Sequence, residues 1–87
     1  MTEREAIIVN PLGLHARPAA QIVRLATTFD SDIWLEKDGM KVNGKSIMGV
    51  MMLAAECGST IRVQASGDDA EQAIDAICGL VADGFNE

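Results

Sequence analysis

From Thr60 to Ser66 apolar and polar positions alternate without a break, with Ile61, Val63 and Ala65 on one side and Thr60, Arg62, Gln64 and Ser66 on the other. A period of two predicts a strand with one face in a core and the other in water. The alternation is looser from Glu3 to Val9, where Ile and Val still predict a strand that ends at the turn-forming Asn10-Pro11-Leu12-Gly13. Ile33 and Leu35 mark one face of a third strand, Asp32 to Lys37, and Asp38-Gly39 is a tight-hairpin pair leading back through Met40 to Val42.

Between these strands the apolar period lengthens. Ala19, Ile22, Val23 and Ala26 recur at helical spacing, and Pro18, tolerated only in a first turn, starts that helix near Ala16 or Arg17. Ser46 is placed to cap a short helix from Ile47 to about Leu53, in which Val50 and Met52 are the expected core-facing positions. Gly58 falls in the turn that follows, and Asp68 or Asp69 caps a last helix. Its stripe is Ala70, Ala73, Ile74, Ile77 and Val81, and Gly84 is its stop. The order β-α-β-β-α-β-α predicts an α+β two-layer sandwich, with helices on one sheet face and water on the other, as a single domain over residues 1–87.

Eighty-seven residues support one small core, so chemistry belongs on the surface rather than in a deep cleft. With 48% hydrophobic but only 3% aromatic residues, that core is built from aliphatic side chains and methionine. A net charge of −6 argues against nucleic acid and against anionic membranes as partners. Five of the seven basic residues, Arg17, Arg24, Lys37, Lys41 and Lys45, fall between positions 17 and 45, which allows an acidic protein to dock there if they share a face. The first residues carry no long apolar run, so neither a signal peptide nor membrane insertion is expected, and the expected location is the cytoplasm. Cys57 and Cys78 are too far apart for a CxxC motif; both are read as reduced packing residues, with no metal site and no cofactor.

The only histidine, His15, stands where the loop enters the first helix. On composition alone it would be a surface loop residue, but its setting points to phosphate chemistry. A helix mouth offers free N–H groups and partial positive charge, and Arg17, two residues on, can turn its guanidinium to the same space. That electrostatic setting disfavours imidazolium, leaves a lone pair for attack, and then favours a dianionic phosphohistidine. Gly13 reads as the residue that relaxes the approach loop, and Pro18 as the one that fixes the helix start.

The run Gly13-Leu14-His15-Ala16-Arg17-Pro18-Ala19 resembles the active-site signature of the histidine-containing phosphocarrier (HPr) family of the phosphoenolpyruvate-dependent phosphotransferase system. A second run, Lys45-Ser46-Ile47-Met48-Gly49-Val50-Met51-Met52-Leu53, resembles that family's regulatory-serine segment. The resemblance implies an open-faced four-stranded antiparallel sheet with three helices on one face. It implies that Nδ1 of His15 takes a phosphoryl group from enzyme I and hands it to an enzyme IIA domain, without making the chain a complete enzyme. Arg17 would assist as a cation, and the backbone of Ala16 and Arg17 would touch the phosphate. Ile47, Met48 and Met51, with Arg24 and Lys45, would form the docking surface of a carrier expected to be monomeric.

Ser46 carries two readings: helix cap, and target of an HPr kinase/phosphorylase as in some family members. Thr27 and Gly49 stand where many sugar-system relatives have lysine, and the Gly84-Phe85-Asn86-Glu87 segment is similar to the nitrogen-related branch, NPr. The alternative is therefore a mainly regulatory module of that branch, acting on a transcriptional regulator or a metabolic enzyme.

Overall fold

The computed structural model describes residues 1–87. Its elements are β1 (Thr2–Ile7), α1 (Ala16–Ala26), β2 (Asp32–Lys37), β3 (Met40–Asn43), α2 (Ile47–Met52), β4 (Thr60–Ser66) and α3 (Ala70–Ala82), followed by a 3-10 turn at Gly84–Asn86. The sheet order is β1-β4-β2-β3 with every pair antiparallel. The strictly alternating β4 lies inside, where Ile61, Val63 and Ala65 are fully buried against a core that includes Ile22, Ala26, Ile74, Ile77 and Val81. The three helices cover that face, which makes the molecule an open-faced α+β sandwich.

Particular elements depart from the sequence expectation for identifiable reasons. β1 ends at Ile7 rather than Val9 because its partner begins at Thr60, opposite Ile7. The next residue, Ile8, gives its N–H to Ser59 O at 2.9 Å and accepts from Gly58 N at 2.7 Å, so its bonding is with a turn. On the open face Arg62 reaches Glu3, Glu5 and Glu36. Its neighbour Gln64, expected in water, is only 7% exposed and sits across the ladder from Glu3 and Trp34.

Met52, expected in the core, is 63% exposed, whereas Val50 and Leu53 are buried. A six-residue helix turns one narrow stripe inward, and positions 50 and 53 share it while position 52 lies about 200° away from 50. Asp69 occupies the cap position of α3 but gives the helix no side-chain bond. Its carboxylate instead accepts from the N–H groups of Asp30 at 2.8 Å and Ser31 at 2.9 Å, and from the Ser31 hydroxyl, closing the loop between α1 and β2. Both cysteines are free thiols, but only Cys78 packs against the core; Cys57 is exposed in the turn before β4 and has no packing role.

Candidate functional site

The loop that presents His15 is fixed at both ends. Asn10, 98% buried by neighbours, accepts from Gly13 N at 3.1 Å through its carbonyl and donates from Nδ2 to Gly13 O at 2.8 Å. Leu14 N donates to Ala55 O at 2.9 Å, and Leu14 itself is buried, tying the loop to the segment before β4. Gly13 has φ +69, and a Cβ there would run into the Ala55 carbonyl oxygen, so the close approach itself requires glycine. His15 follows in extended conformation as the N-cap of α1, and its carbonyl accepts the first helical bond, from Ala19 N at 3.0 Å.

Its ring does not cap the helix. Nε2 instead lies 2.8 Å from Glu87 Oε2, and the other carboxylate oxygen, Oε1, accepts from Asn10 Nδ2 at 2.9 Å. The Asn10 hydrogen bond, which outweighs the opposing effect of burial and is joined by the weaker bond and charge of His15 and the charge of Arg17, holds the Glu87 carboxyl below the usual carboxylate range. An ionised carboxylate only accepts hydrogen bonds, so the proton in this contact sits on Nε2. A neutral ring then has its lone pair on Nδ1, which has no partner in the protein. The His15 side chain is 37% exposed and that of Glu87 only 17%.

Sequence reasoning missed both Glu87 and Asn10. Asn10 read as a turn former and Glu87 only as part of the branch-like Gly84-Phe85-Asn86-Glu87 segment, and 72 residues separate Glu87 from His15. What joins them is the turn after α3: Phe85 and Asn86 adopt φ 58 and φ 60, Phe85 is buried, and Gln21 Nε2 bonds Phe85 O at 3.4 Å. Left-handed backbone at Phe85 leaves no local sequence signal.

At that mouth the N–H groups of Ala16 and Arg17 have no acceptor within reach along the helix, Pro18 has no N–H, and Ala19 N is already used. Two amides are thus left to face an incoming ligand. Arg17 is exposed and makes no ion pair or side-chain hydrogen bond. Arg24, seven residues on and so on the same side of α1, is exposed as well.

Lys37 and Lys41 do not share that face. Lys37 pairs with Asp38 at 3.0 Å, and Lys41 lies 4.9 Å from the Trp34 ring centre on the sheet's open side. Lys45 donates to Phe29 O at 2.8 Å, so its ammonium is committed. Ser46 caps α2, its Oγ accepting from Gly49 N at 3.1 Å. Ile47, Met48, Met51 and Met52 are all exposed on that short helix, which packs against α1.

A family model described as "PTS HPr component phosphorylation site" matches residues 2–83. The chain is 46% identical over 87 residues to the phosphocarrier protein HPr of Cupriavidus necator, covering all of this chain and 98% of that one. It is 42% identical over 85 residues to the phosphocarrier protein NPr of Shewanella violacea, covering 98% and 93%. A crystal structure of HPr from Thermoanaerobacter tengcongensis superposes with a TM-score of 0.96 at 49% identity, covering 100% of this chain and 98% of that one. A dimer structure of that HPr matches with a TM-score of 0.80, again at 49% identity, over 100% of both chains. With the family model matched over residues 2–83 and its fold and nearly its whole length shared with these proteins, the chain belongs to the HPr phosphocarrier family of the phosphotransferase system.

Proposed function

We propose that the chain accepts a phosphoryl group on Nδ1 of His15 from phospho-enzyme I and delivers it to an enzyme IIA domain in the cytoplasm. One observation carries the reading: a ring with Nε2 committed and Nδ1 unpartnered stands at the helix end where the Ala16 and Arg17 amides and the Arg17 guanidinium are also unpartnered. Nδ1 is the nucleophile. The two amides and Arg17 hold the phosphoryl oxygens, and the helix end adds partial positive charge. Partner proteins supply the remaining catalytic groups, so a shallow site on a small domain suffices.

Docking is assigned to Ile47, Met48 and Met51 on α2 with Arg24 on α1, an apolar patch beside cations that suits acidic partners. Lys45 contributes by tying its ammonium to the backbone after α1 more than by free charge. Phosphorylation of Ser46 by an HPr kinase/phosphorylase fits the same surface. A phosphate at the start of α2 would keep an acceptor for Gly49 N and place a dianion where acidic partners dock, weakening transfer.

The thinned basic rim, with Thr27, Gly49 and a committed Lys45, favours as second reading the nitrogen-related branch and a mainly regulatory role toward a transcriptional regulator. Reconstitution with enzyme I, phosphoenolpyruvate and a IIA domain tests the relay. The native chain should load the IIA domain, His15→Ala should load none, and Arg17→Ala should slow transfer on the order of a hundredfold. Transfer that survives His15→Ala would refute the proposal.

A further inference from the structure

We propose that Glu87 is a positioning residue for phosphoryl transfer: its carboxylate, clamped by Asn10, keeps the proton on Nε2 of His15 in both the free and the phosphorylated ring. This rests on the phosphocarrier reading of His15. The contacts are continuous, from Gly13 O to Asn10 Nδ2 at 2.8 Å, from Asn10 Nδ2 to Glu87 Oε1 at 2.9 Å, and from Glu87 Oε2 to His15 Nε2 at 2.8 Å. Asn10 is buried and already bonded to the loop backbone, so it holds the carboxylate in a fixed place rather than following it. Glu87 cannot leave the ring without giving up the Asn10 bond as well.

With the proton on Nε2 both halves of the transfer proceed without proton movement on the ring. In loading, the Nδ1 lone pair attacks phosphorus, and the bond from phosphorus to the donor breaks with its electron pair staying on the donor. The product has phosphorus on Nδ1 and hydrogen on Nε2, so the ring is a cation whose charge lies against Glu87. In delivery the acceptor's nucleophile attacks phosphorus and the Nδ1–P bond breaks. Its electron pair returns to Nδ1, and the ring departs as the same neutral Nε2–H form.

Were Nε2 to lose its proton while loaded, the departing group would be an imidazolate anion, a much poorer leaving group. A fixed carboxylate accepting from Nε2 opposes that loss. It plays the part that the buried carboxylate plays for the histidine of a catalytic triad, holding one tautomer and one orientation.

The test has two arms. Nitrogen-15 NMR of the unloaded native chain should place the ring proton on Nε2. In Glu87→Ala the ratio of Nε2–H to Nδ1–H forms should fall by about tenfold or more, the worth of a charge-assisted hydrogen bond, with the amide spectrum away from the site unchanged. In the second arm both chains are loaded by enzyme I and phosphoenolpyruvate, and delivery to a IIA domain is timed; Glu87→Ala should deliver about tenfold more slowly. A native ring protonated on Nδ1, or identical tautomer ratios and delivery rates in the two chains, overturns the proposal. If enzyme I leaves the native chain unloaded, the phosphocarrier reading fails, while the NMR arm decides the role of Glu87 in setting the ring's tautomer.

Discussion

At the scale of single residues, the site depends on backbone constraints as much as on the groups that do chemistry. Gly13 combines φ +69 with contact against the Ala55 carbonyl, so Gly13→Ala should lower stability by about 3 kcal/mol in urea unfolding, from left-handed backbone plus overpacking. A loss under about 0.5 kcal/mol would mean that the loop shifts freely. Asp69 offers a pH test. Its carboxyl is held below the usual range by the Ser31 hydroxyl first and the Asp30 N–H next. A depressed folded-state value means that its contribution is complete above the unfolded pKa of about 3.9 and is lost as pH falls through the lower folded value. The native chain should therefore lose stability on the acid side more steeply than Asp69→Asn, as read by urea midpoints across that window; parallel curves would contradict the assignment. His15 and Arg17 were legible as residues because both sit in one short run, whereas Glu87 and Asn10 acquire their roles only when a buried Phe85 turns the chain back over the site.

Among the elements, the short helix α2 is where periodicity was least informative. Six residues give less than two turns, too few for an apolar stripe to declare itself when Ile47, Met48, Val50, Met51 and Met52 are all apolar. The packing does discriminate: Leu53→Ala should cost about 2–5 kcal/mol, and Met52→Ala should stay within about 0.5 kcal/mol of the native chain. Thermal or urea unfolding of the pair checks this, and equal losses would return Met52 to the core. Ser46→Ala removes the acceptor for Gly49 N and should cost about 1 kcal/mol while leaving His15 loading intact. A loading defect in that variant, measured with enzyme I, would show that α2's start shapes the phosphate site itself. The regular elements were readable because β4 alternates cleanly and α1 and α3 carry long stripes; boundaries moved where loop bonding, as at Ile8, took over from the ladder.

For the whole molecule, the fold separates charge that the sequence only lists in order. Lys37 and Lys41 fall on the hairpin and the open sheet face, so the unpaired cations around His15 are Arg17 and Arg24, with the Lys45 ammonium bonded to Phe29 O, in a chain of net charge −6. Composition could not show this, because the five basic residues between positions 17 and 45 are divided by the hairpin β2–β3, which carries Lys37 and Lys41 away. Docking onto acidic partners should accordingly weaken only modestly as salt rises, the Met48 and Met51 patch holding the rest, and titrating enzyme I binding against ionic strength measures the division. The central claim is that His15 is a phosphoryl acceptor, and intact-mass analysis after incubation with enzyme I and phosphoenolpyruvate tests it most directly. The native chain should gain one phosphoryl group that is lost in acid, and His15→Ala should gain none; a native chain that stays unmodified, or a phosphate that survives acid and His15→Ala alike, would contradict the account.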